Sequence, residues 1–262
     1  MGVLNVTPDS FSDGGLHFST EAAIRRGIEI AEQGADLLDV GGESTRPGAD
    51  AVPADEEWQR VEPALKGLVR KIDLPISIDT RKPEVAEKAL QAGAAIVNDV
   101  TGLANPAMVR LVAKHGAGAV IMHMRGEPKT MQDEPRYDDV VREIHEFLAQ
   151  RIQGAVRGGI GDDRIAVDPG IGFGKTADHN LTLLARLDAF SDLGRPIVIG
   201  VSRKGFIGRV GGGQPGERVA GSIAAATLAV ARGAHLVRAH DVLETVRAMR
   251  VADAVLRGRE NL

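Results

Sequence analysis

The stretch PEVAEKALQAGAAIVND, from Pro83 to Asp99, holds one complete unit of the architecture. Val85, Ala86, Ala89 and Leu90 recur at helical spacing and give a helix one apolar face. Gly93 follows as the left-handed stop of that helix. The apolar run after it, ending on Asn98 and Asp99, reads as a buried parallel strand. The same Gly-Ala step recurs elsewhere. Gly34-Ala35 precedes DLLDV, Gly116-Ala117 precedes GAVIMH, and Gly233-Ala234 precedes HLVRAH. Proline introduces two more runs, Pro75 to Ile78 and Pro196 to Ile199. Gly2-Val3-Leu4 and Arg164 to Val167 complete the predicted strands, and a helical pattern follows each one. Eight β-then-α units in about 250 residues predict a (β/α)8 TIM barrel, an α/β fold read as one domain over residues 1–262. The second choice is an open doubly wound sheet, which lacks its G-x-G-x-x-G fingerprint after the first strand.

Composition narrows the function. The 262 residues carry 32 Lys+Arg against 36 Asp+Glu, a formal charge of -4, which argues against nucleic acid and anionic membranes as partners. With no cysteine, disulfides, thiolate nucleophiles and Cys-based zinc sites are excluded. No apolar run is long enough to cross a bilayer, and no signal-peptide pattern opens the sequence. The expectation is a soluble cytoplasmic protein.

In a barrel the chemistry lies where the strands stop. Those ends carry Asn5, Glu43 to Arg46, Asp79, Asn98, His123, Asp168, Ser202-Arg203-Lys204, and Arg238 with His240. Any one of them could be a helix cap, Asp79 above all, but capping alone explains the whole set poorly. Asp79, Asn98 and Asp168 suit a heterocycle presenting adjacent N–H and amine donors. Arg46, Lys204, Arg238 and His240 supply cationic donors, and the last two strands are where barrels often hold phosphate. A Schiff-base role for Lys204 requires a depressed pKa, and its polar surroundings favour a charged donor. The Asp, Asn and His residues are too scattered for a tight metal cluster, so a metal is expected to be Mg²⁺ shared with a substrate phosphate.

Several longer motifs carry a resemblance. LNVTPDSFSDGG (Leu4–Gly15), GGESTRPGA (Gly41–Ala49), DPGIGFGKT (Asp168–Thr176), GVSRKGFIG (Gly200–Gly208) and RAHDV (Arg238–Val242) are similar to the motifs of bacterial dihydropteroate synthases, a pterin-binding family. The likeness runs essentially end to end. It implies a transferase of folate biosynthesis and a sulfonamide target. Such an enzyme condenses 6-hydroxymethyl-7,8-dihydropterin pyrophosphate with p-aminobenzoate, giving 7,8-dihydropteroate and pyrophosphate, with Mg²⁺ and as a homodimer. It further implies a pterin pocket at Asp79, Asn98, Asp168 and Lys204, and a pyrophosphate and Mg²⁺ site at Asn5, Arg46, Arg238 and His240. The p-aminobenzoate site would comprise Thr45, Pro47, Phe173, Lys204, Ser202 and Arg203, with Asp9 and Phe11 closing over the reaction centre. The implied catalytic set is Asp9, Arg46, Lys204, Arg238 and His240, with Asn5 as the metal ligand.

Two departures stand out. The family has one or two short strands before its first barrel strand, whereas this sequence starts on that strand, which leaves less to close the barrel's bottom. The family also has serine after Ser-Arg-Lys, where this sequence has Gly205. Two alternatives share the pterin pocket: a methyltetrahydrofolate–corrinoid methyltransferase, which should lack NVTPDSFSDGG and Ser-Arg-Lys, and a homologue that binds pterin without turnover.

Overall fold

The four glycines of the Gly-Ala steps, Gly34, Gly93, Gly116 and Gly233, all have positive φ, between 59° and 113°. Each ends a helix and turns the chain into the next strand, as the repeat predicts. The computed structural model describes residues 1–7, 15–44 and 48–258. Its elements alternate: β1 (Gly2–Asn5), α1 (Gly15–Glu32), β2 (Leu38–Gly41), α2 (Ala54–Leu68), β3 (Ile76–Asp79), α3 (Pro83–Gln91), β4 (Ile96–Asp99), α4 (Pro106–His115) and β5 (Gly118–Met122). They continue with α5 (Val140–Arg157), β6 (Ile165–Asp168), α6 (Ala177–Ala185), β7 (Val198–Ile199), α7 (Gly205–Gly211), α8 (Val219–Ala231), β8 (Leu236–Val237) and α9 (Val242–Arg257).

Strands β1 to β6 form one parallel sheet in chain order, and β7 pairs with β8. Single parallel bridges join these two pieces, Val167 to Ile197 and Gly2 to Ala239, so the ring closes. At the second seam the Val3 N–H donates to the Ala239 carbonyl at 3.0 Å, and the Ala239 N–H donates to the Met1 carbonyl at 2.9 Å. The Met1 ammonium adds a bond to the Val237 carbonyl at 3.0 Å. The fold is the (β/α)8 barrel expected from the repeat, and the bottom is closed by Met1 itself. Its side chain packs with Leu37, Val120 and Val198, with Ile96, Ala166 and Leu236 against them, as an apolar plug.

The two-residue period of the strands now decides where polarity goes. Outward-facing residues such as Leu38, Val40, Ile78, Val97, Ile121, Val167 and Ile199 belong to the main core under the helices. One step of two residues up from the plug, the inward face changes character. Leu37 is followed by Asp39, Ile96 by Asn98, Ala166 by Asp168 and Leu236 by Arg238. The plug removes apolar area from water at the bottom and leaves the polar layer at the C-terminal mouth.

Candidate active site

Asp79, Asn98, Asp168, Phe173, Lys204 and Arg238 line one cleft at that mouth, with Val100, Met122 and Ile171 as its apolar wall. The sequence-derived pterin set is therefore brought together. Asp79 is not a helix cap, because α3 starts after Lys82 with Pro83 in its first turn. Its carboxylate instead meets Arg238. The Arg238 guanidinium spans two carboxylates, with Nε donating to Asp39 Oδ2 and Nη2 to Asp79 Oδ2, both at 2.7 Å. Asn98 Nδ2 donates to the same Asp39 oxygen at 3.2 Å. Burial works against the charge on Arg238, but Asp39 and Asp79 outweigh it and hold the guanidinium protonated. Burial pushes the Asp79 carboxyl up to about 7, with Arg238 opposing and Asp39 reinforcing the rise.

Asp168 sits at the root of the loop that follows β6. Burial raises its pKa, while the Gly170 N–H, which donates to Oδ1 at 2.7 Å, and Lys204 pull it down. That loop needs its glycines. A Cβ on Gly170 would lie 1.9 Å from the His123 carbonyl oxygen, and one on Gly174 would lie 2.4 Å from that of Arg125, both at positive φ. The tight path carries the Phe173 ring over Lys204, whose Nζ stands 4.0 Å from the ring centroid. Burial, with Arg238 nearby, lowers the Lys204 ammonium to about 8.

Ser202 and His240 meet at the seam between the ends of β7 and β8. The His240 N–H donates to Ser202 Oγ at 3.2 Å, and the His240 Nδ1 lies 3.2 Å from the same oxygen. The Arg203 side chain points away from the cleft to form an ion pair with Asp241. Asn5 ends β1, half-buried. Asp9, Phe11, Thr45, Arg46 and Pro47 lie outside the described residues. The root of their second loop is fixed by Glu43, which is buried and accepts from the Val52 N–H at 3.0 Å and from Lys82 at 2.8 Å.

Two members of the site escaped the sequence reading. Asp39 was hidden inside the apolar run DLLDV, where a lone carboxylate in a buried strand was the available signal. Lys175, in DPGIGFGKT, is buried and donates to the Phe173 carbonyl at 2.9 Å and the His123 carbonyl at 3.4 Å. It also stands 3.0 Å from His123 Nδ1, and burial together with Lys175 pushes that imidazole down to about 2, so it is neutral.

A closed parallel barrel whose mouth gathers two buried carboxylates, a buried amide and two half-buried cations defines an α/β-barrel enzyme built for a small, donor-rich heterocycle. The comparisons with known proteins agree. The family described as pterin binding enzyme matches residues 1–240. The dihydropteroate synthase of Escherichia coli (strain K12) is 46% identical over 261 residues, covering 100% of this chain and 93% of that protein. The Xanthomonas albilineans dihydropteroate synthase solved with 4-aminobenzoic acid superposes with a TM-score of 0.92 at 52% identity, over 97% of this chain and 92% of that one. The Yersinia pestis enzyme in a sulfonamide drug complex gives a TM-score of 0.92 at 43% identity, over 97% and 93%. The chain belongs to the pterin binding enzymes and, within them, to the dihydropteroate synthases.

Proposed function

We infer that this chain condenses 6-hydroxymethyl-7,8-dihydropterin pyrophosphate with p-aminobenzoate to give 7,8-dihydropteroate and pyrophosphate. The observation that carries the reading is the convergence of Asp79, Asn98, Asp168, Lys204 and Arg238 on one cleft. The acceptors take the pterin's ring N–H and amine donors. Arg238 keeps Asp79 and Asp39 paired beneath them. Lys204, stacked on Phe173, stands where the pterin and p-aminobenzoate sites adjoin. Departure of pyrophosphate leaves positive charge on the pterin methylene, which buried carboxylates stabilise. The arylamine then forms the C–N bond and gives up a proton. Arylamines are mostly neutral near pH 7, so attack needs no strong base, and no nucleophile–base–acid triad is required. Asp9 and Arg46 are assigned with Lys204, Arg238 and His240 to the catalytic set, and Thr45, Pro47, Ser202 and Arg203 to substrate binding. Arg203 serves that end through the turn it occupies.

Among the described residues no three His, Asp or Glu side chains gather to cage a metal. The donor set at the end of β1 is the neutral amide of Asn5, which fits a hard Mg²⁺ ion arriving with the pyrophosphate and keeping most of its other oxygens from phosphate and water. When bound, the ion offsets charge on the leaving group.

The homodimer belongs to the same reading. Neighbouring α8 and α9 expose Leu228, Val251 and Val255 at 62%, 65% and 78%, an apolar area suited to a second copy. Among the described residues no helix is long and apolar enough to cross a membrane, and the cytoplasm is the proposed location. Steady pyrophosphate release that depends on both substrates is the expected result. Absence of turnover with tight pterin binding would instead identify a non-catalytic homologue.

A further inference from the structure

Arg203 has φ +60°, a left-handed backbone that a non-glycine residue holds only when its surroundings force it. Its main chain is gripped from the segment leading into α8. Arg218 Nη1 donates to the Arg203 carbonyl at 3.2 Å and to the Lys204 carbonyl at 3.4 Å, while its Nε donates to the Gly213 carbonyl at 2.9 Å. The Arg203 N–H donates to Ser222 Oγ at 2.9 Å, and that hydroxyl donates to the Arg218 carbonyl at 2.7 Å. Neither Arg218 nor Ser222 lines the cleft. The residue they hold next to it, Lys204, does.

A second observation shows that room is kept for this guanidinium. A Cβ on Gly208 of α7 would fall 2.4 Å from Arg218 Nη2 and 2.5 Å from its Cζ. The position has no positive φ, so its backbone does not call for glycine. The close approach of Arg218 does.

We propose that Arg218, seated on Gly208 and working with Ser222, is a positioning residue that keeps Arg203 in its left-handed turn and thereby aims Lys204 into the cleft. The proposal rests on the reading of Lys204 as a substrate-binding cation. The guanidinium reaches carbonyls of two separate segments from two different nitrogens of its planar fork, Nε and Nη1, a spread that the single nitrogen of an ammonium lacks.

The test uses Arg218→Lys and Gly208→Ala in the full chain. The second variant keeps every charge and adds helix propensity. The methyl presses only on the movable end of Arg218, so the fold tolerates it while the guanidinium leaves its carbonyls. Both variants should bind pteroic acid roughly tenfold more weakly, and both should melt within a few degrees of the parent. A Lys204 released toward solvent regains its proton affinity. Lys204, lowered to about 8 by burial in the parent, should therefore titrate higher in both variants and carry the alkaline limb of pteroic acid binding up by about one pH unit. Should Gly208→Ala bind with parental affinity and an unmoved alkaline limb, the positioning role is overturned. So is it if affinity falls only in step with melting temperature. A parent chain that does not bind pteroic acid at all overturns the assignment of the site itself, and the proposal with it.

Discussion

Arg238 and Asp79 meet at 2.7 Å although 159 residues separate them, because closing the barrel brings the end of β8 to the polar layer of β3. The same guanidinium holds Asp39, 199 residues away. One cation thus bridges two buried carboxylates at the floor of the cleft, and both of the donors seen here are used on protein rather than pointing freely at phosphate.

Replacing Arg238 by lysine keeps the charge and loses the fork. An ammonium cannot occupy the Nε and Nη2 positions together, so one carboxylate is left buried and poorly paired. The expected cost is about 1–3 kcal/mol of stability, on the way to the roughly 3–5 kcal/mol of removing a buried partner outright. Pteroic acid affinity should fall at least tenfold. Chemical denaturation together with titration calorimetry measures both. Parental values in both would detach the Arg238–Asp79 pair from the site.

Asp168→Asn tests the acceptor set from the other side. The amide oxygen can still take the Gly170 N–H that Oδ1 accepts at 2.7 Å, so the loop should keep its path. Toward the pterin, however, the amide presents a donor to a donor, and the mismatch should cost roughly 1–3 kcal/mol. Pteroic acid binding should weaken much more than p-aminobenzoate binding. Equal losses for the two ligands would place Asp168 outside the pterin pocket.

The repeat was readable because two local periods, helical spacing and the glycine stop, reoccur at every unit. The polar strand ends were readable for the same reason: they sit where apolar runs end. The pairings were not. Asp39 lies within an apolar run, and the sequence carries no mark that it faces the barrel's interior beside Arg238. A lysine in a glycine-rich loop resembles a surface residue, yet Lys175 is 2% exposed because that loop folds back on His123. Such contacts exist only after the ring has closed. Gly208 and Arg218 are another case, since the reason for the glycine is a side chain ten positions further along.

Asp79 also gives a pH dependence of stability. Its carboxyl is raised from 3.8 to about 7 in the folded chain, so the folded state binds this proton more tightly than the unfolded state does. The contribution is fully present below the unfolded value and is lost as pH rises through about 7. Asp168 and Asp99, both raised by burial, act in the same direction. Melting temperature should therefore decline from about pH 4 to about pH 7, and Asp79→Asn should flatten part of that slope. If the variant shows the parental slope, Asp79 does not titrate in this range.

Gly205, where the family has serine, can be judged from its surroundings. It opens α7 after Lys204, its φ is not positive, and a Cβ built there meets nothing within 4 Å. Serine should therefore fit without strain. Restricting the unfolded chain should stabilise Gly205→Ser by about 0.4–1 kcal/mol, read as a higher melting temperature. The new hydroxyl stands next to Lys204 at the end of the cleft assigned to p-aminobenzoate, where the resemblance places a contact to the carboxylate. One added hydrogen bond of about 0.5–1.5 kcal/mol should lower the KM for p-aminobenzoate several-fold and leave that for the pterin substrate unchanged. Steady-state kinetics on both substrates, alongside thermal melting, separates the two effects. A variant that is more stable, but whose KM for p-aminobenzoate stays the same or rises, would show that the carboxylate is held elsewhere.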